Sequence, residues 1–199
     1  MDLKTRIAEA AEQVIRANGL AKTTTKEIAR IAGCSEGSLY NHFKSKEDLF
    51  LYVLRGQLTN LMGALTALRE LAGQGTVRGN LEKVALAAVA DYYQSMSFIC
   101  SVISERDLLN RHREGFAARN EGPHRANETL EAYLSEEKLL GRVHESISPR
   151  AAADLLLGSC FQHAFQLRFL GREESEEQRS RFVKHTLDAL FEGLQAREA

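Results

Sequence analysis

Apolar side chains recur at three- and four-residue steps along most of this chain, the spacing that lines one face of an α-helix. Residues 98–103 form a dense apolar patch that reads by itself as a strand. No second run of that kind exists to pair with it, and an isolated strand is not stable, so the patch is expected to be a short buried helix. With only 2 prolines in 199 residues, little interrupts the helical pattern, and the expected fold class is all-α. The length suits one domain or two small ones with a substantial core.

Start and stop signals divide the pattern. Leu3, Ile7, Ala10, Ala11, Val14 and Ile15 line a first helix that Gly19 ends. Thr24 with Glu27 has the capping-box spacing, in which the hydroxyl accepts a main-chain N–H and the carboxylate reaches back; the helix it opens runs to Ala32. Gly33 then allows a tight turn, and Ser35 caps a second short helix over residues 36–43. Two short helices about a glycine are a helix-turn-helix candidate. Ser45 with Asp48 opens a helix expected to be long, because Leu54, Leu58, Leu61, Leu65 and Leu68 keep a 4-3-4-3 rhythm. A glycine-rich break at Gly73, Gly75 and Gly79 precedes a core helix carrying Leu81, Val84, Ala88, Tyr92 and Met96. Further helices are marked by Ala126, Leu130, Tyr133 and Leu134, by Ser148-Pro149 through Leu170, and by Ser175 with Gln178 ahead of Val183, Leu187, Leu190 and Leu194.

Charge limits the functions available. Twenty-six Lys and Arg against 27 Asp and Glu leave −1, so any contact with nucleic acid must rest on local features rather than bulk basicity. The six histidines, His42, His112, His124, His144, His163 and His185, form no i, i+4 pair and have no CxxC partner, so no metal site is expected. Glu105, Asp107 and His112 read as a charged helix surface. A P-loop, a nucleophile elbow and a dinucleotide fingerprint are all missing, and neither enzymatic activity nor a cofactor is expected. Cys34, Cys100 and Cys160 are an odd number, far apart, as suits free thiols in a reducing compartment. Asp2, Lys4, Arg6 and Glu9 leave no apolar signal segment, and the longest apolar run, residues 84–90, is far short of the roughly 18 residues of a membrane span, so a cytoplasmic location without membrane contact is expected.

The run from Thr23 to Leu49, with Thr23-Thr24-Thr25, Ile28-Ala29, Ala32-Gly33-Cys34-Ser35, Gly37, Tyr40-Asn41-His42-Phe43 and Lys46, resembles the DNA-binding head of the TetR (tetracycline-repressor-like) family. The resemblance covers about the first quarter of the chain. It implies a three-helix helix-turn-helix head over residues 1–50 and a helical effector-binding and dimerisation body over residues 51–199. By that resemblance Thr24, Thr25, Ser38, Tyr40, His42 and Lys46 are candidates to hold phosphates. The second helix of the motif offers Ser35, Glu36, Gly37, Ser38, Tyr40 and Asn41 to DNA, with Glu36, Gly37 and Tyr40 as candidates for base contact. Two positions depart from the family pattern. Glu36 stands where a basic residue is common, and an acid there repels phosphate but accepts a hydrogen bond from cytosine N4. Cys34 replaces a small aliphatic residue. The head holds eight basic and seven acidic residues, a net of +1, so one head alone is expected to bind weakly.

The body carries the remaining expectations. The last two helices resemble the pair that forms a four-helix bundle across the family's two-fold axis, which implies a dimer interface through Leu156, Cys160, Val183, Leu187, Leu190 and Leu194. A two-fold homodimer implies a palindromic operator in double-stranded DNA. Tyr92, Tyr93, Met96, Phe98, Phe116, Phe161, Gln162, His163, Phe165 and Gln166 are candidates for a mostly apolar pocket that takes a small-molecule effector. The expected function is a ligand-responsive repressor. The alternatives are an architectural DNA-binding protein without an effector and an all-α enzyme.

Overall fold

The computed structural model describes residues 2–119 and 122–193, and the side chains among them other than those of 116–119. Among the described residues ten helices and no strands are found: α1 (Leu3–Asn18), α2 (Thr25–Ala32), α3 (Glu36–His42), α4 (Lys46–Gly56), α5 (Thr59–Leu68), α6 (Val77–Ser104), α7 (Arg106–Arg119), α8 (His124–Leu139), α9 (Pro149–Phe169) and α10 (Glu176–Glu192). They form two compact units. One takes Met1–Leu58 and Gln94–Arg119, the other Thr59–Tyr93 and Asn120–Ala199.

The first unit is wider than the 1–50 head read from the sequence. Its core joins Ile7, Ala11 and Val14 of α1 to Ile28 of α2, Leu39 of α3, and Leu49, Phe50 and Val53 of α4. Phe98 and Val102 of α6 and Leu108 of α7 complete it, with the Phe98 ring edge-on to Phe50 at 6.4 Å. Apolar periodicity identifies these late residues as core but carries no information about which core they enter.

Two expected boundaries fall elsewhere. The leucine rhythm from Leu54 to Leu68 is shared by two helices, because α4 ends at Gly56 and α5 starts afresh at Thr59. The new start is held by Asp91 of α6, whose carboxylate accepts the Leu61 N–H and the Asn60 side-chain amide, each at 2.8 Å. A helix N-terminus leaves main-chain donors without partners, and a buried carboxylate satisfies them strongly. Residues 98–103, expected as a separate short helix, instead continue α6 without a break. Over its most apolar 18 residues α6 has a mean hydropathy of 1.2, and it is long enough to cross a membrane; it nevertheless buries Asn80, Asp91 and Ser95, as a core helix does.

In the second unit α5, α6, α8, α9 and α10 close around Leu65, Leu81, Val84, Leu130, Leu156, Cys160, Val183 and Leu187. The turn between α5 and α6 is fastened from α8. Buried Glu137 accepts the Gly73 N–H at 3.2 Å and pairs with Arg142 at 3.0 Å, while Arg142 also donates to the Gly75 carbonyl at 2.7 Å. Asn80 donates to the Gln74 carbonyl and to the Tyr133 hydroxyl, each at 3.0 Å. Burial pushes the Tyr133 hydroxyl up to about 12, with the Glu137 carboxylate acting in the same direction.

Candidate nucleic-acid interface

Local chemistry builds the helix-turn-helix. Thr24 caps α2 by accepting the Glu27 N–H at 3.2 Å. The return half of the expected capping box is not used, since the Glu27 carboxylate accepts the Asn18 amide of α1 at 3.3 Å instead. Gly33 ends α2 at φ 66° and ψ 41°, the left-handed region. A Cβ at Gly33 would lie 2.9 Å from the Arg6 guanidinium, which donates to the Ala32 carbonyl. Ser35 then caps α3 by accepting the Ser38 N–H at 3.0 Å, and the two hydroxyls lie 2.9 Å apart. One proton links that pair. The other hydroxyl proton is left to donate outward, as a phosphate contact requires.

Leu39 and Phe43 are buried in the core, which leaves α3 to present its opposite side. Ser35, Glu36, Gly37, Asn41 and His42 are exposed, Ser38 is half-buried, and Tyr40 is 48% exposed. Tyr40 is thus a surface aromatic while Phe43, three residues on, is core. Thr25 and Glu36 are bound to each other across the turn, Thr25 Oγ1 donating to Glu36 Oε1 at 2.8 Å. The Tyr40 hydroxyl points to the same Thr25 oxygen at 3.5 Å. Lys46, in the first turn of α4, holds its ammonium 5.2 Å from the Phe50 ring centre, which restrains the side chain without neutralising it. All ten residues proposed for DNA from the sequence therefore lie in α2, in α3, or at the caps and starts of α2, α3 and α4.

A cleft of about 360 Å3 in the same unit was not legible in the sequence. Lys44, Ser45, Asp48, Leu51 and Arg55 line it from one side and Arg111, His112 and Gly115 of α7 from the other. Arg111 also reaches the Glu47 carboxylate at 3.8 Å. The Glu47 main-chain N–H, the Ser45 hydroxyl and Arg111 together hold that carboxyl below its usual range. No short-range pattern links residues 44–55 with 111–115.

The body residues expected to line a pocket do not converge. Phe98 is core of the first unit, and Met96 is also buried in that unit. In the second unit Tyr92 meets Phe161 edge to face at 5.4 Å, and burial pushes its hydroxyl up to about 12. Tyr93 donates to the Arg172 carbonyl at 3.1 Å. The His163 ring stacks on Phe182 at 3.8 Å and bonds Glu174 at 2.8 Å, so it is a structural histidine rather than a free ligand group. Gln162, Phe165 and Gln166 face outward from α9. The Phe116 side chain lies outside the described residues.

The expected dimer residues also need correction. Leu156, Cys160, Val183 and Leu187 are fully buried within their own unit and offer no surface to a second chain. Leu190 is partly buried, and Leu194 lies outside the described residues. A helix apolar all round has two apolar faces, and spacing cannot say which one turns inward. The face of α9 left in water carries Leu155, Phe161, Phe165 and Phe169, the last 77% exposed, and Phe191 of α10 is exposed as well.

Residues 7–53 match the family model described as "Bacterial regulatory proteins, tetR family". The chain is 46% identical over 54 residues to the HTH-type transcriptional regulator QacR of Staphylococcus aureus, a match spanning 27% of this chain and 29% of that protein. Its fold is similar to that of a chain described as a TetR-family transcriptional regulator from Mesorhizobium loti, with a TM-score of 0.76 at 20% identity, covering 96% of this chain and 95% of that one. It is also similar to the transcriptional regulator FadR from Bacillus subtilis in complex with stearoyl-CoA, with a TM-score of 0.70 at 19% identity over 96% of this chain and 99% of that one. The family match thus covers the helix-turn-helix segment, the chain spans about 29% of the length of QacR in that match, and the likeness of the remainder to these solved structures is one of fold.

Proposed function

We propose that this chain is a cytoplasmic, ligand-responsive transcriptional repressor that binds a palindromic operator as a homodimer and lets go when a small molecule binds its body. The observation that carries this reading is the exposed row on α3 and the start of α2, built of hydroxyls, an amide, a tyrosine and a carboxylate above a fully buried apolar base. Such side chains read base edges and hold phosphates, and a helix of this kind fits the major groove. Thr24, Ser35, Ser38, His42 and Lys46 serve the phosphates, while Glu36, Gly37, Tyr40 and Asn41 face the bases. The head is residues 1–50 and the effector and dimer body residues 51–199. Dimerisation uses the exposed α9 face of Leu155, Phe165 and Phe169 with Phe191 of α10, in place of the buried residues read from the sequence.

The effector enters the body between α6 and α9, where Tyr92 and Phe161 meet, and its binding part is mostly apolar. The likeness to FadR bound to stearoyl-CoA supports long acyl chains as the first class to test. A coupling of about 1–3 kcal/mol would cut operator affinity roughly 5–150-fold. Selection of DNA from a random pool by the purified protein tests the whole reading. The expected product is an inverted repeat with half-site centres about one helical turn, or a multiple of it, apart. Recovery of no enriched motif would overturn it.

A further inference from the structure

The hydrogen bond between Thr25 and Glu36 decides between two roles for Thr25. A threonine hydroxyl has one proton to donate. Thr25 gives it to Glu36 Oε1 at 2.8 Å, and its oxygen faces the Tyr40 hydroxyl at 3.5 Å. While that bond is made, the Thr25 side chain cannot donate to a DNA phosphate, which offers only acceptor oxygens. Glu36 is the first residue of α3 and is exposed, so nothing else in its packing restrains it. A flexible carboxylate beside a phosphate backbone would only repel it. A carboxylate held in one orientation is an acceptor aimed at one place, and the major-groove edge of cytosine presents an N4 amino donor that suits it.

We propose that Thr25 is a positioning residue for sequence readout: its hydroxyl fixes the Glu36 carboxylate as the acceptor that selects an amino-bearing base, cytosine, at one position of each half-site. The inference rests on the DNA-binding reading above. It replaces a phosphate role for Thr25 with a specificity role. The second carboxylate oxygen, Oε2, remains free for the base while Oε1 is held by Thr25. The cost is repulsion from nearby phosphates, so Glu36 trades affinity for discrimination.

The test uses the full-length protein and its selected operator, with each of the four base pairs placed in turn at every half-site position and binding followed at several salt concentrations. Wild-type protein should prefer cytosine at one position by roughly 5–150-fold, the range of one good base contact. Glu36→Ala should flatten that position and strengthen binding to the other three sequences. Thr25→Val should flatten the same position to within about threefold, leave the salt dependence unchanged, and add nothing when combined with Glu36→Ala, as expected for two groups acting as one. Thr25→Ser, which keeps the hydroxyl, should restore the preference. Each variant's melting temperature shows whether the head remains folded, and the Ser rescue separates loss of the hydroxyl from loss of the fold.

Three results would overturn the proposal. One is uniform weakening of all four sequences by Thr25→Val with a shallower salt slope, the signature of a phosphate contact. Another is a full preference retained in Thr25→Val. The third is a wild-type operator with no cytosine preference at any half-site position. Failure of the wild-type protein to select any operator would instead remove the DNA-binding reading on which the proposal stands.

Discussion

The two compact units meet water differently. In the unit of α1–α4, with α7 and the last turns of α6, most large apolar side chains are packed away, Ile103 being exposed, and what α3 shows to solvent is polar apart from Tyr40. In the other unit, α9 and α10 close a core of their own and still leave Leu155, Phe161, Phe165, Phe169 and Phe191 in water. The first surface is complete in the absence of an apolar partner and suits a polar, charged one. The second holds a contiguous helix face that another protein surface would cover. The two units are thus told apart by what each leaves exposed.

Substitutions should separate these surfaces. The largest effect is expected from Phe165→Glu combined with Phe169→Glu. Charging the exposed α9 face should convert the proposed dimer to monomer, by sedimentation or light scattering, and lower operator affinity by at least about a hundredfold through loss of the paired heads. Its effect on monomer stability should be small, because neither side chain is core. A variant that remains dimeric would show that the subunits meet elsewhere. Leu156→Ala, about two and a half turns from Phe165 on the same helix but facing inward, should do the opposite. Truncating a fully buried leucine costs about 2–5 kcal/mol, measurable by denaturant unfolding, while the association state at low temperature stays the same.

The head should respond to changes at its turn. Gly33→Ala forces a left-handed residue to carry a Cβ and pushes it against the Arg6 guanidinium, at a cost of about 1–2 kcal/mol. Thr24→Ala removes one cap at about 1 kcal/mol. Both losses should appear in unfolding of the head and leave dimerisation intact.

The smallest contrast is in pH dependence. Tyr92, Tyr133 and Cys160 all lie in the second unit, and burial pushes each up to about 12. A raised acid is protonated and neutral in the folded state, so the stability it contributes is complete below the ordinary values near 9 and 10 and is lost as pH rises toward 12. In the first unit Glu47 is held low. Its contribution is complete above its ordinary value of 4.5 and is lost as the solution is made more acidic. Alkaline melting should therefore weaken the core of α5, α6, α8, α9 and α10 first, as hydrogen exchange resolved by helix would show. Simultaneous loss of both units would remove this distinction.

How much of each unit was legible in the sequence follows from the range of the forces involved. Thr24, Gly33, Ser35 and Ser175 act within four residues, and each caps or turns as its spacing says. Asp91 acts on Leu61 from thirty residues away, so the division of the leucine seam into α4 and α5 had no local signature. Phe98 was correctly apolar yet assigned to a pocket, because periodicity does not reveal which core a long helix enters. The dimer residues failed for a related reason: both faces of α9 carry large apolar side chains, and packing within the unit, including the Cys160 thiol against the Ala85 carbonyl of α6, determines that Leu156 and Cys160 go inside. The helix-turn-helix itself was legible because its caps and turn are set by neighbouring residues, Thr24, Gly33 and Ser35.

The most direct test of the central claim, that two weakly charged heads act together on one operator, is a titration of the protein against its selected palindrome and against a duplex carrying a single half-site. The head has a net charge of only +1, so the expected result is one dimer per palindrome and a half-site affinity lower by at least about a hundredfold. Equal affinity for the two duplexes, or one monomer per palindrome at saturation, would contradict it.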